Sequence, residues 1–281
     1  MKDVIEAALR AVANAEPAAL VTVVATEGST PQKAGAKMVV YPDGRIVGTI
    51  GGGCVEAEMT WRARNVIETG KAQLASYDLT PDQAGEDGLV CGGRMQVFIE
   101  PMVGTPTLVL FGAGHVAQPL ARIAKMAGFR VEVTDDRVKF ANPERFPDAD
   151  KIVLEDLATA ASQLTLGANS YAVVVTRGHK GDTEALASVL GRGLRFVGLL
   201  GSRPKLVHVA AALEERGFSR EEIAKIHCPV GLAIGAATPE EIAVSILAEL
   251  IAVRHRVDPK AARPLKADLP GRLAAHREIE A

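Results

Sequence analysis

The sequence is short of several features that would assign it to a class at once. It has three cysteines in 281 residues, Cys54, Cys91 and Cys228. Thiols so few and so widely spaced exclude a secreted disulfide framework, and they cannot supply one four-thiolate iron–sulfur cluster. In a reducing compartment they are free thiols or ligands. There is no charge excess: 32 basic against 34 acidic residues leave a formal net charge of -2, which argues against nucleic acid or an acidic membrane surface as a partner. No apolar run approaches the roughly 20 residues of a membrane helix. Met1-Lys2-Asp3-Val4-Ile5-Glu6 places carboxylates where a signal peptide is apolar. Internal repeats and low-complexity segments are also absent. The expectation is a cytoplasmic protein.

What the chain does have is apolar bulk, 48% of its residues. That is ample for a real core, in one large or two ordinary domains. Val4, Ile5, Ala8, Leu9 and Val12 recur at helical spacing and predict an opening amphipathic helix. Residues 19–25 read as a strand. Residues 36–41 and 45–50 flank Pro42-Asp43-Gly44, a hairpin signal. A helix opening at Cys54 carries Val55, Met59, Ala63, Val66 and Ile67 on one face, and strands are expected over 72–77 and 95–100. Residues 101–106, with two prolines and a glycine, read as a linker. Beyond it, compact apolar runs at 107–111, 130–134, 151–154, 171–176 and 195–200 alternate mostly with helical stretches, the pattern of a parallel sheet covered on both faces. Thr238-Pro239-Glu240-Glu241 combines an N-cap, Pro at N1 and Glu at N3, and predicts a helix to about 253. The fold class is therefore α/β: an N-terminal α+β domain over 1–103, a Rossmann-type parallel-sheet domain over 104–254, and a polar tail over 255–281.

Chemistry concentrates at glycines. Gly112-Ala113-Gly114-His115-Val116-Ala117 follows the strand at 107–111 and opens a helix. Gly112 allows the tight turn, Gly114 lets a phosphate approach the backbone, and Ala117 packs helix on strand. The free N–H groups of the helix start then face the anion. Asp135 ends the second strand, about 20 residues on, where an acidic residue meets a ribose hydroxyl. A Rossmann loop kept only for packing is the competing reading. Gly51-Gly52-Gly53-Cys54-Val55-Glu56 puts a thiol at a helix N-terminus, where the positive field favours the thiolate. Gly52 and Gly53 leave room there for a bulky ligand; the competing reading is a small buried residue beside a turn. Cys91-Gly92-Gly93 repeats the thiol–glycine pairing, too far from Cys54 for a zinc-finger spacing. Cys228 reads as core. Two more loops leave strand C-termini. Thr176-Arg177-Gly178-His179-Lys180-Gly181-Asp182 offers cations and the His179 imidazole, with Asp182 able to cap the next helix. Gly201-Ser202-Arg203 suits phosphate or carboxylate through Ser202 and Arg203. The polar loop 26–35 is long enough to bind something.

In this order, Glu27-Gly28-Ser29-Thr30-Pro31, the segments at 51–56 and 91–93, Phe111-Gly112-Ala113-Gly114-His115-Val116, Asp135-Asp136-Arg137, Gly201-Ser202-Arg203-Pro204-Lys205, Pro229-Val230-Gly231-Leu232 and the stretch 235–243 resemble the XdhC/CoxI family, the xanthine dehydrogenase accessory factors. The resemblance covers nearly the whole chain up to about Arg254. It implies a carrier rather than a turnover enzyme, one that binds the molybdenum cofactor, a pterin, while a terminal sulfido ligand is installed, and passes it to an apo molybdenum hydroxylase such as xanthine dehydrogenase. It implies a cysteine desulfurase as a second partner and leaves a homodimer open. On this reading Cys54 and Cys91 contact the cofactor or its molybdenum. Gly52, Gly53, Gly112, Gly114, His115, Asp135, His179, Ser202 and Arg203 hold the rest of it, in mononucleotide or dinucleotide form. The rival is an NAD(P)-dependent oxidoreductase, which accounts for the glycine loop and Asp135 but leaves the Cys54 and Cys91 segments without a role. A scaffold bridging a sulfurtransferase and its target is the third reading.

Overall fold

The computed structural model describes residues 1–14, 16–79, 93–102 and 104–258. Cys91 and Gly92 lie outside the described residues, as do the tail beyond 258 and the side chain of His179.

The first part is an antiparallel sheet. Its strands are β1 (Ala18–Glu27), β2 (Lys37–Val40), β3 (Ile46–Gly48), β4 (Gln73–Asp78) and β5 (Arg94–Met102), in the order β3-β2-β1-β5-β4. Helix α2 (Gly53–Thr69) buries Val55, Met59, Ala63 and Val66 against it, the i, i+4 stripe expected of a helix covering a sheet. Helix α1 (Lys2–Ala13) forms where its periodicity predicts, but it buries Val4, Ala7 and Ala11, and leaves Ile5, Leu9 and Val12 exposed. Two alanines on the buried face let the helix backbone approach the sheet, and the larger side chains turn outward. The linker reading of 101–106 is corrected at its start. Pro101 and Met102 belong to β5, paired with Ala19 and Ala18, because the full length of β1 takes a partner on that side.

The second part is a six-stranded, all-parallel sheet of β6 (Thr107–Phe111), β7 (Arg130–Asp135), β8 (Lys151–Leu154), β9 (Ser170–Val174), β10 (Phe196–Leu199) and β11 (Ile226–His227). The spatial order is β8-β7-β6-β9-β10-β11. Numbered within the sheet this is 3-2-1-4-5-6, the doubly wound Rossmann order. Every residue of β6 is buried, as a strand covered on both faces requires. Leu108 and Leu110 face one core with helices α3 (Ala117–Met126) and α7 (Pro239–Arg254). Val109 and Phe111 face the other, with α4 (His179–Val189) and α5 (Arg203–Glu215). A single turn, α6 (Arg220–Ile223), precedes β11. The start of α7 is the anticipated capping box: Thr238 Oγ1 accepts the Glu241 N–H, and Glu241 Oε2 accepts the Thr238 N–H.

The chain leaves β6 toward β7 and β8 on one side, then returns to β9 and continues to β11 on the other. The crevice beyond the C-terminal ends of β6 and β9 is therefore the topological switch point, where ligands bind in open α/β sheets.

Candidate functional site

Two glycines of the loop after β6 do different work. Gly112 has φ 103°, and a Cβ there would meet the Val175 carbonyl oxygen at 2.8 Å. Its N–H donates to Thr134 O at 2.8 Å, so the turn is clamped between the ends of β7 and β9. Gly114 stands in open space, with the nearest atom to an added Cβ 4.0 Å away. His115 beside it is exposed, just ahead of α3. Gly112 thus builds the loop, and Gly114 keeps its mouth clear.

Asp135 sits at the end of β7, where the sequence places a ribose ligand, but its carboxylate is engaged within the protein. Oδ2 accepts the Ala113 N–H at 2.7 Å and Arg137 Nη2 at 2.8 Å, and Oδ1 accepts Arg137 Nε at 2.7 Å and its backbone N–H at 3.1 Å. Burial works to raise the carboxyl, but the bonds from Arg137 and Ala113 outweigh it and hold Asp135 below the usual carboxylate range. The Arg137 guanidinium lies over the Phe140 ring at 3.8 Å. In this arrangement Asp135 shapes the glycine loop from behind. Because its folded value is lowered, its contribution to stability is complete above the ordinary carboxylate value and is lost as pH falls through the lowered one. Asp135→Asn is expected to cost about 1.5–3 kcal/mol in urea unfolding at pH 7. The deficit should narrow below about pH 4; a deficit constant down to acid pH would contradict this role.

Along the same sheet edge, α4 begins at His179, with Gly178 before it at φ 81°. Asp182 does not cap that helix. It lies one turn in, fully buried, where Oδ1 accepts Thr176 Oγ1 at 2.7 Å and Oδ2 lies 2.6 Å from Lys205 Nζ. Lys205 Nζ also donates to Leu200 O at 3.0 Å, and Gly201 has no side chain because the Lys205 stem occupies that space. The pair joins the loop after β9 to the loop after β10. Sequence reasoning noted both residues and missed the bond, since nothing in their spacing announces it. Lys205→Met is expected to destabilise the fold by about 3–5 kcal/mol by stranding a buried carboxylate. Adding Asp182→Leu should recover most of that loss, as chemical denaturation would show. Ser202 precedes α5 without bonding its side chain to the helix, and Ser202 and Arg203 are both exposed. Cys228, read as core, is half-buried at this edge, with Sγ 3.6 Å from Gly201 O. Burial pushes its thiol up, and Asp182 adds to that against Lys205.

Cys54 belongs to the other sheet's helix. It is exposed, second in α2, behind Gly52 (φ 73°) and Gly53 (φ 55°). No atom lies within 4 Å of a Cβ added at Gly52. The turn ahead of it is held by Glu56, a role that nothing in its spacing announces. Glu56 Oε1 accepts Thr49 Oγ1, the Ile50 N–H at 3.1 Å and the Gly52 N–H at 3.0 Å. Burial works to raise this carboxyl as well, and the Thr49 and backbone hydrogen bonds outweigh it and lower it. The loop at 26–35 lies alongside: a Cβ at Gly51 would meet Pro31 Cγ at 2.5 Å, and one at Gly93 would strike the carbonyls of Ser29 and Glu27. Gly51, the 27–31 loop and Gly93 are thus packed together ahead of α2. Tyr77 on β4 is a further neighbour; burial, then the fields of Cys54 and Glu58, push its phenol up. Among the described residues no group of three His, Cys, Asp or Glu side chains could hold a metal ion, and no helix is long and apolar enough to cross a membrane.

The structure thus groups the candidates in two sets. Gly112, Gly114, His115, Asp135, Ser202, Arg203 and the backbone at His179 share the C-terminal edge of the parallel sheet. Gly52, Gly53 and Cys54 open a helix on the antiparallel sheet. Together these define a protein with an antiparallel sheet, a Rossmann-type parallel sheet and a glycine-edged thiol.

The chain belongs to the XdhC and CoxI family: residues 3–78 match the family of that name, and residues 108–250 match the XdhC Rossmann domain. Uncharacterized protein YqeB of Escherichia coli (strain K12) is 38% identical over 240 residues, 85% of this chain. The chain spans 44% of the length of that relative. A probable xanthine dehydrogenase subunit of Bacillus subtilis (strain 168) is 27% identical, across 86% of this chain and 94% of its own. Molybdenum cofactor insertion chaperone PaoD of Escherichia coli (strain K12) is 26% identical, across 90% and 88%. A crystal structure of a xanthine dehydrogenase from Bacillus halodurans shares the fold at 24% identity, with a TM-score of 0.50 over 92% of this chain and 97% of that one.

Proposed function

We propose that this protein is a maturation factor that binds the molybdenum cofactor, assists its sulfuration, and inserts it into a molybdenum hydroxylase such as xanthine dehydrogenase. The observation that carries the reading is the exposed Cys54 thiol at a helix start, with open space at Gly52 and a turn held rigid by Glu56. A thiol suits a soft metal centre, and the clear mouth at Gly114 suits a phosphate. Cys54, with Cys91 as its partner thiol, would hold the metal end. The Gly114 loop, His115, His179, Ser202 and Arg203 would hold the phosphate or nucleotide end. When bound, the cofactor supplies a redox-active metal with an exchangeable sulfur ligand. The protein's part is to hold it, shield it from water and release it to its client. The kinship with a molybdenum cofactor insertion chaperone and with a probable component of xanthine dehydrogenase supports this role. A cysteine desulfurase as sulfur source, a homodimer and a cytoplasmic location belong to the same proposal.

The second reading, an NAD(P)-dependent oxidoreductase, rests on the 3-2-1-4-5-6 strand order and the glycine loop. It is weakened at Asp135, whose carboxylate is engaged by Ala113 and Arg137. One preparation separates the two readings. Protein purified from a cell that makes the cofactor should carry molybdenum and a fluorescent pterin, and should activate apo xanthine dehydrogenase only when both proteins are present. Turnover of NAD(H) by this chain alone would overturn the maturation role.

A further inference from the structure

At the opposite edge of the parallel sheet from the glycine loop, a cavity of about 670 Å³ lies between the two domains. It is bounded by the connection Gly104-Thr105-Pro106, the C-terminal end of α2, the residues just ahead of β9 and β10, and the end of α7. Lys71, Arg195, Arg254 and Arg256 line it, and no Asp or Glu does among the described residues.

Among the described residues these arginines donate to carbonyl oxygens. Arg195 Nη2 donates to Arg254 O at 3.1 Å, Arg254 Nη1 to Ala127 O at 3.0 Å, and Arg256 Nη2 to Ile67 O at 3.2 Å. Carbonyls fix the orientation of a guanidinium without neutralising it, and each retains further donors. Arg254 is additionally stacked over Phe129 at 5.5 Å. Among the described residues the buried Tyr171 hydroxyl has no hydrogen-bond partner; it is not part of the cavity lining but lies in the field of Arg195, Arg254 and Arg256.

Several like charges around one low-dielectric cleft focus a positive potential, and arginine forks match phosphate oxygens. The volume falls within the roughly 300–1,000 Å³ of small-molecule sites. We infer that this interdomain cavity is a second anion site, built for a small molecule bearing a di- or triphosphate group and separate from the glycine loop. Arg256 reaches α2 of the first domain from the end of α7 of the second, so an occupant would be gripped by both domains and would raise their joint stability.

The test is calorimetric titration of the full chain with inorganic pyrophosphate, at low and high salt. Binding is expected, weakening with salt and falling about tenfold or more in Arg195→Gln and Arg256→Gln, the loss of a charge-assisted contact. The component of binding lost in the arginine variants should persist in Gly114→Val, whose change is confined to any binding at the glycine loop. Lys71→Gln, at an exposed position, should weaken it in the same direction and serves if an arginine variant melts early. Absence of pyrophosphate binding, equal affinity in all three cation variants, or loss confined to Gly114→Val would overturn the site.

Discussion

Gly114→Val is expected to weaken binding of the pterin cofactor or a nucleotide about tenfold or more while leaving the fold intact. The expectation rests on the contrast with Gly112. A side chain at Gly114 has clear space around its first carbon, the nearest atom being 4.0 Å away. The folded protein therefore accepts the change, and the added methyl groups occupy volume that only a ligand would otherwise use. At Gly112 the same substitution places a Cβ 2.8 Å from the Val175 carbonyl at φ 103°. Strain and overlap there should cost about 3 kcal/mol or more in stability. The pair separates a binding loop from a packing loop. Calorimetry reads affinity, and circular dichroism with urea melts reads the fold. Undiminished affinity in a folded Gly114→Val protein would make the loop structural only.

Cys54→Ser is expected to reduce molybdenum retention about tenfold or more, on the scale of weakening a metal's ligand sphere. Stability should change by no more than about 0.5 kcal/mol, because the thiol is exposed and packs into no core. A serine hydroxyl preserves size and hydrogen bonding but is a hard donor, so the variant isolates softness from shape. The readout is metal content per chain in protein from a cofactor-producing cell. Cys91→Ser should act in the same direction. Unchanged molybdenum content in Cys54→Ser would remove the thiol from the proposed site. Glu56→Gln probes the turn beneath it, since Glu56 gathers the Thr49 hydroxyl and the Ile50 and Gly52 amides.

Much of this architecture is legible along the chain because its signals are local. The run 107–111 has no polar side chain except its first, and it became β6, buried on both faces. The Thr238-Pro239-Glu240-Glu241 start became a capped helix for the same reason: every bond it needs lies within four residues. The glycine loop was readable because tight turns and close backbone approach permit so few residue types. The periodicity of α1 predicts a helix but not its buried face, since spacing alone does not say that Ala7 and Ala11 let the backbone approach the sheet where Ile5 and Leu9 do not.

What the sequence determined by itself, then, is the class of each element, the alternation that makes a parallel sheet, and the places where glycine opens a turn or a helix. These are set by φ/ψ preference and by apolar period, which act over a few residues. Only the tertiary structure decided which charges are free. Asp135 turns its carboxylate onto Ala113 and Arg137, Asp182 is buried against Lys205, and four cations from three stretches of chain line one cavity with no Asp or Glu among the described residues. The partner of a buried charge is chosen by desolvation and distance in three dimensions. Neither quantity is written in the spacing of residues along the chain.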